Sequence, residues 1–157
     1  MMKEQILNTL KDEVLLEQTK LKKIYETTKN LVQNGDLKSD GKHDTRATEV
    51  NYLADGQRRR LTELEQEIQL LEETDIKAKS SVVSIGSLVE IEFNGQLRKY
   101  FIAPTAGGKM VKVVDDVILV ISVFSPIGDA ALSLGIGDEF EVELPSGNRH
   151  YSIKNIL

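Results

Sequence analysis

Three aspartates stand close together in a polar segment of the N-terminal half. Asp36, Asp40 and Asp44 fall within residues 34–46, which read Asn-Gly-Asp-Leu-Lys-Ser-Asp-Gly-Lys-His-Asp-Thr-Arg. Carboxylates in such a glycine-punctuated stretch can act as ligands, or they can stabilise a turn and cap the helix that follows. Asp44 best suits the helix cap, whereas Asp36 and Asp40 stay open to both roles.

This segment separates two long stretches that have the residue spacing of helices, about 3–33 and about 45–77. Both carry apolar residues at alternating three- and four-residue steps, the pattern of a heptad seam. The apolar seam members are Leu7, Leu10, Val14, Leu21, Ile24, Leu31, Val50, Leu53, Leu61, Leu64, Ile68 and Leu71, and the polar residues Glu17 and Thr28 occupy two further seam positions of the first stretch. Because the connection is short, we predict an antiparallel coiled-coil hairpin rather than a dimerisation coiled coil. Its tip at 34–46 would project roughly 45 Å.

Composition changes near residue 80, after which come all three prolines and most of the glycines. We therefore predict two domains, the hairpin at 1–79 and an antiparallel β domain at 80–157. Alternating or apolar runs predict strands over 89–93, 97–103, 110–114, 117–124, 139–144 and 150–156. Asn94-Gly95 is typical of a two-residue hairpin turn. Ser125 and Pro126 are typical of the cap and first position of one short helix. The predicted fold class is α+β.

Composition also excludes several classes of function. The chain contains no cysteine, which rules out disulfides and zinc–thiolate sites. Its net charge of -5 argues against stable binding to DNA on its own, because phosphate neutralisation requires clustered positive charge. There is no signal-peptide pattern and no apolar run that could span a bilayer, so we expect a cytoplasmic protein without a membrane partner.

One short element in the C-terminal half is distinctive. Ser125, Pro126, Ile127 and Gly128 resemble the matching element in the C-terminal domain of the GreA/GreB transcription elongation factors. The resemblance continues over nearly the whole chain in the same order. It includes Ala130-Ala131-Leu132, Gly137-Asp138, Pro145-Ser146-Gly147, Tyr151, Ile153 and, at the turn between the helices, Asn34-Gly35-Asp36-Leu37-Lys38.

The resemblance implies that this chain binds bacterial RNA polymerase. Its C-terminal domain would be FKBP-like and would dock at the rim of the secondary channel through residues 125–128. The hairpin would enter the channel, where Asp36 and Asp40 would help to hold a Mg²⁺ ion in the polymerase active site during hydrolysis of backtracked RNA. The chain would then have no cofactor of its own and would be a co-catalytic factor rather than an enzyme.

The chain departs from the family pattern at the tip. The family carries a Glu three residues after its first Asp, whereas this sequence has Ser39 at that position and Asp40 one residue later. Since metal catalysis tolerates little misplacement, an alternative is a competitor that binds the channel without stimulating cleavage. A second alternative is a prolyl-isomerase-like or chaperone module, although the scarcity of aromatic residues counts against an isomerase pocket.

A run of three arginines lies within the second predicted helix. Arg58, Arg59 and Arg60 resemble, in rough placement, the basic face that the family turns towards nascent RNA, which makes the RNA 3′ end a further expected contact. The plainer interpretation is a solvated helix face, since Arg59 and Glu63 have the spacing of a surface ion pair.

Overall fold

The computed structural model describes residues 2–33, 45–105 and 107–157. It consists of two long helices followed by six strands and one short helix, which confirms the predicted α+β class. The elements are α1 (Met2–Gln33), α2 (Thr45–Glu72), β1 (Leu88–Phe93), β2 (Gln96–Ala103), β3 (Lys109–Val113), β4 (Asp116–Ser122), α3 (Pro126–Ala131), β5 (Glu139–Leu144) and β6 (Gly147–Ile156). None of the described helices is long and apolar enough to cross a membrane.

Contacts divide the chain into two compact units. The first joins Met1–Lys11 to Leu70–Leu157, and the second is Asp12–Gln69. The predicted domains, 1–79 and 80–157, follow the order of the chain and stay a prediction.

The second helix ends five residues before its predicted end at residue 77. After Glu72, the Thr74 hydroxyl donates to the Leu70 carbonyl at 2.7 Å. The Asp75 carboxylate then accepts hydrogen bonds from the backbone N–H groups of Lys77 and Ala78, at 2.9 and 3.2 Å. These bonds lower the pKa of Asp75 and offer the backbone an alternative to another helical turn.

The six strands form one mixed sheet in the order β3-β4-β2-β1-β6-β5. Four of its pairs are antiparallel, as predicted, but β2 and β4 run parallel. This pair requires a crossover, which β3 supplies because it follows β2 and then turns back along the far edge of β4. The predicted Asn94-Gly95 turn is confirmed, since both residues have positive φ, 52° and 76°.

One face of the sheet packs against α3 and forms the core of the C-terminal half. This short helix contacts both β4 and β5, which are separated by three strands in the sheet. Six helical residues span only about 9 Å, whereas four strand spacings of a flat sheet span about 19 Å. The sheet must therefore curl around α3.

The seam of the helical hairpin lies to one side of the predicted stripe. Leu7, Val14 and Leu64 are buried as predicted, but the predicted members Ile24, Leu31 and Leu53 are 53%, 39% and 54% exposed. Thr28, a predicted polar seam position seven residues from Leu21, is buried as expected, and Gln57, which the predicted stripe did not include, is buried seven residues from Leu64. A straight helix drifts relative to a strict seven-residue repeat, so the contact line moves away from Ile24 and Leu31 along α1.

Candidate functional site

The predicted tip ligands Asp36 and Asp40, together with Asp44, lie outside the described residues. The helices that lead to them are described, and the Arg60–Glu17 ion pair between α2 and α1 fixes their register at 3.0 Å. From Glu17 to Gln33 and from Arg60 back to Thr45, the helices run almost equal lengths, about 24 Å at 1.5 Å per residue. The antiparallel helices therefore end level with each other on either side of residues 34–44.

Arg60 is surrounded by acidic side chains. Its guanidinium contacts the carboxylates of Glu17, Glu63 and Glu67 at 3.0, 3.2 and 3.4 Å. The hydrogen bond to Glu17 is the main cause of a raised pKa of Arg60, against the opposing effect of burial. Three carboxylates around one guanidinium leave this cluster with a net negative charge. Arg60 thus links the two helices and does not offer a positive surface to RNA.

The other two arginines of the run differ from Arg60. Arg58 forms an exposed ion pair with Asp55 at 2.9 Å. The ion pair expected between Arg59 and Glu63 is replaced by the Arg60–Glu63 pair, and Arg59 is exposed. The RNA contact of the arginine run stays a prediction, and Arg59 is the member best placed to make it.

The Ser-Pro turn has the cap geometry that the sequence predicts. Ser125 is the N-cap of α3 with φ -73° and ψ 156°, and its Oγ accepts a hydrogen bond from the Gly128 N–H at 3.1 Å. The same hydroxyl donates to the Ser122 carbonyl at 2.7 Å. Pro126 takes the first helical position, where no N–H is needed. The cap is thereby tied to the end of β4.

Of the four predicted docking residues, two stabilise the turn and two present apolar surface. Gly128 is buried, and a Cβ added to it would lie 2.0 Å from the Ser122 carbonyl oxygen. Ser125 is half-buried in the hydrogen bonds of the cap. Pro126 is exposed and Ile127 is half-buried, so only these two present apolar surface. Ser125 and Gly128 hold that surface in place.

Sequence reasoning missed Phe124, whose side chain is 85% exposed beside the turn. The predicted fourth strand ran to residue 124, but β4 ends at Ser122. There the Ser122 hydroxyl accepts a hydrogen bond from the Phe124 N–H at 3.1 Å and the chain turns. The signal that could have found it is the serine at 122, which can bond to the backbone two residues later.

An apolar groove of about 560 Å³ runs alongside the turn. Its lining residues are Gly107, Gly108, Ile121, Ser122, Phe124, Ser125, Pro126, Ile127 and Leu144. Gly107 packs directly against the end of β4, since a Cβ there would lie 2.7 Å from the Ser122 nitrogen. An exposed phenylalanine beside a concave apolar surface is typical of a protein-binding site.

No group of three or more histidine and carboxylate side chains that could hold a metal ion occurs among the described residues. The only metal ligands that the sequence predicts, Asp36 and Asp40, lie outside them. Two carboxylates are in any case a suitable partial set for Mg²⁺, which takes few protein ligands and keeps several waters.

Comparison with solved structures places the chain near a crystal structure of GreA factor homolog 1 from Thermus thermophilus. The two share 18% identity with a TM-score of 0.38, over 94% of each chain.

The sequence is closer to that of curated proteins. It is 31% identical to transcription elongation factor GreA of Alkaliphilus oremlandii, over 96% of this chain and 91% of that protein. It is 28% identical to GreA of Acetivibrio thermocellus, over 90% and 84% respectively. Residues 76–157 match the family described as "Transcription elongation factor, GreA/GreB, C-term". This chain therefore belongs to the GreA/GreB family of transcription elongation factors.

Proposed function

We propose that this elongation factor binds bacterial RNA polymerase at its secondary channel and acts on backtracked complexes. The observation that carries the proposal is the match to GreA over nearly the whole chain, helical hairpin included. The apolar surface of Phe124, Pro126 and Ile127 would contact the polymerase, and the hairpin would enter the channel.

The geometry of the hairpin supports this role. The two helices end level with each other at Gln33 and Thr45, and in the sequence they are joined by residues 34–44. That connection contains Asp36 and Asp40. A paired-helix rod stiffened by the Arg60 cluster delivers such residues to a deep site with little loss of conformational entropy on binding.

Asp36 and Asp40 would lend carboxylate ligands to Mg²⁺ in the polymerase active site. In a two-ion site shared with polymerase, the chemistry that Mg²⁺ would supply is activation of the attacking water by one ion and stabilisation of the leaving oxygen of the RNA phosphodiester by the other. The chain itself supplies only the two carboxylates and their position, so it would be co-catalytic and would carry no cofactor of its own.

A second candidate function follows from Ser39. Where the family pattern has a Glu three residues after the first Asp, this chain has a hydroxyl side chain, and the next carboxylate is one residue out of register. A factor with this tip would occupy the channel and compete with other channel-binding factors without stimulating cleavage.

A transcript-cleavage assay on a stalled, backtracked polymerase separates the two functions. Under the cleavage proposal, the chain shortens the labelled RNA in a Mg²⁺-dependent reaction. The double variant Asp36→Asn/Asp40→Asn then reduces the rate at least about tenfold, because misplaced or missing ligands are poorly tolerated. Asp12→Asn, which removes an exposed carboxylate from α1, serves as the matched control and keeps the full rate.

Binding is measured in parallel by co-purification with polymerase and by competition with a standard cleavage factor. Polymerase binding without RNA shortening supports the competitor. A chain that neither binds polymerase nor changes cleavage contradicts both functions. Replacing Phe124 with Ser, which leaves the core untouched because that side chain is 85% exposed, is expected to weaken binding about tenfold.

A further inference from the structure

A second cleft lies on the α3 side of the sheet, next to the groove at the Ser-Pro turn. It has a volume of about 560 Å³, within the range of ligand-binding clefts. Strands β1, β2, β3, β4 and β6 contribute to it, and it shares Gly108, Ile121 and Ile127 with the groove. The two concave surfaces are therefore continuous, although the turn accounts for only one of them.

Two arginines from distant parts of the chain stand at this cleft. Arg98 lies on β2 opposite Ile91, and Arg149 lies on β6 two residues before Tyr151. Both side chains line the cleft together with Tyr100, and their positive charges oppose the rise in the pKa of the Tyr100 hydroxyl that burial causes. Strand pairing thus brings together two positive charges that the sequence separates widely.

These positive charges have neutral partners in the described structure. Arg98 donates to the Gln96 side-chain oxygen at 3.3 Å, and the Arg149 guanidinium lies 5.3 Å from the centre of the Phe93 ring. The described residues that line the cleft include no Asp or Glu. In a chain of net charge -5, an acid-free cleft with two arginines is complementary to a negatively charged ligand.

Three aliphatic side chains, Leu119, Ile121 and Ile127, are half-buried and line the floor of the cleft. The rings of Tyr100 and Tyr151 are only 5% and 2% exposed. The half-buried Phe93 ring also lines the cleft, but it already contacts the Tyr151 ring and the Arg149 guanidinium, with centroid distances of 5.1 and 5.3 Å, so none of the three rings is a free stacking platform for a nucleotide base. An aliphatic floor beside two guanidiniums suits an apolar side chain with carboxylates next to it, and it disfavours a mononucleotide.

We propose that this cleft binds a segment of a partner protein in which an apolar side chain is flanked by acidic residues. The partner chemistry deepens the proposed function, on which it rests, because it extends the docking surface from the Ser-Pro turn to Arg98 and Arg149. The partner would place apolar residues along the groove and carboxylates at the two guanidiniums.

The test uses the full chain and a fluorescein-labelled eight-residue peptide with one central Phe and two Glu on each side of it. Fluorescence anisotropy is expected to detect binding, and the peptide is expected to move the amide NMR signals of residues 96–100 and 149–151. The double variant Arg98→Glu/Arg149→Glu should weaken binding at least tenfold. Lys112→Glu, a matched charge reversal at an exposed β3 position outside the cleft, should change it less than twofold.

Salt dependence, altered peptides and competition by GMP test the proposal further. Raising NaCl from about 50 mM to about 500 mM should weaken binding to the unaltered chain, which needs no variant to fold. Peptides with Gln in place of Glu, or Ala in place of Phe, should bind at least fivefold more weakly. Equal binding of the Gln peptide, stronger competition by GMP than by unlabelled peptide, or no binding at all would overturn the proposal.

Failure of this inference is distinguishable from failure of the proposed function. Polymerase co-purification that survives Arg98→Glu/Arg149→Glu, together with absent peptide binding, overturns the cleft alone. If the chain binds the peptide but does not bind polymerase, polymerase is not the partner, and the proposed ligand chemistry of the cleft is still supported.

Discussion

At Gly128 the Ser-Pro turn leaves no room for a side chain. The Ser122 carbonyl oxygen lies 2.0 Å from where a Cβ would stand, and Ser125 Oγ lies 3.0 Å from it. Both neighbours belong to the cap that ties α3 to β4, so neither can move without breaking a hydrogen bond. This glycine is therefore required by close packing, and the apolar surface of the turn depends on it.

We expect Gly128→Ala to lower the free energy of unfolding by about 3 kcal/mol, because the added methyl overlaps the backbone of Ser122. Gly56→Ala is the matched control. Gly56 lies inside α2, and no atom lies within 4 Å of the point that a methyl group would occupy, so alanine there should raise stability by about 1 kcal/mol through helix propensity. Thermal unfolding followed by circular dichroism measures both variants. If Gly128→Ala lowers the free energy of unfolding no more than an ordinary surface substitution does, the packing argument is contradicted.

At the scale of the element, the helical hairpin carries polar groups inside its seam. Gln57 is only 9% exposed, and its Oε1 accepts no hydrogen bond from the described residues. It lies on the same helical line as Val50 and Leu64, seven residues from each. An unpaired buried amide oxygen is unfavourable, so this position weakens the middle of the hairpin.

Gln57→Leu is expected to stabilise the hairpin by about 1 kcal/mol, since it removes the unpaired oxygen and extends the apolar line. Denaturant unfolding followed at the helical circular dichroism band measures the change. Gln66→Leu, at an exposed position of the same helix, is the comparison and should not stabilise it. If Gln57→Leu destabilises the chain, the amide oxygen has a partner that the described contacts lack.

Arg60→Gln should have the opposite effect. It removes the guanidinium that contacts Glu17, Glu63 and Glu67 together and leaves three carboxylates near one another. Because these groups are partly solvent-exposed, the expected loss is about 1 kcal/mol, and it should shrink as salt is added. Arg59→Gln, next to it and exposed, should change stability little. Equal losses for both variants at low salt would rule out a special role of Arg60.

The elements show what local sequence can and cannot specify. The cap of α3 and the Asn94-Gly95 turn were predicted because side chains a few residues apart determine them. The side of α1 that forms the seam was predicted only in part: Thr28 is buried there, but Ile24 and Leu31 of the same predicted seam are exposed, because the geometry of the helix pair decides which positions meet. Arg98 and Arg149 could not be brought together from sequence, because their proximity follows from the pairing of β1 with both β2 and β6.

For the molecule as a whole, the sheet unit includes both ends of the chain. Ile6, Leu7 and Leu10 are buried within Met1–Lys11. The sheet face away from α3 is also buried. Its residues are Leu88, Phe101, Val111, Val113, Ile118 and Val120. Within this unit, the first turns of α1 are an apolar surface able to cover that face.

Leu10→Ala is accordingly expected to destabilise the sheet, although it lies more than seventy residues before β1. The expected loss is about 3 kcal/mol, which would speed amide hydrogen exchange across the strands by about a hundredfold. Leu16→Ala removes a leucine of the same helix that is 56% exposed and should leave exchange unchanged. Unaltered amide exchange in β1, β2 and β4 after Leu10→Ala would show that the first turns of α1 do not stabilise the sheet.

A unit assembled from both chain ends also sets an order for biosynthesis. Strand β6 follows both β1 and β5 in the chain, yet it lies between them in the sheet. The hairpin segment Asp12–Gln69 is one continuous stretch that is translated before any of the strands, so its helices can pair while translation goes on. Residues 1–11 must wait for Gly147–Ile156 before their own unit is complete, so a chain whose synthesis stops before β6 would form the hairpin but not the complete sheet.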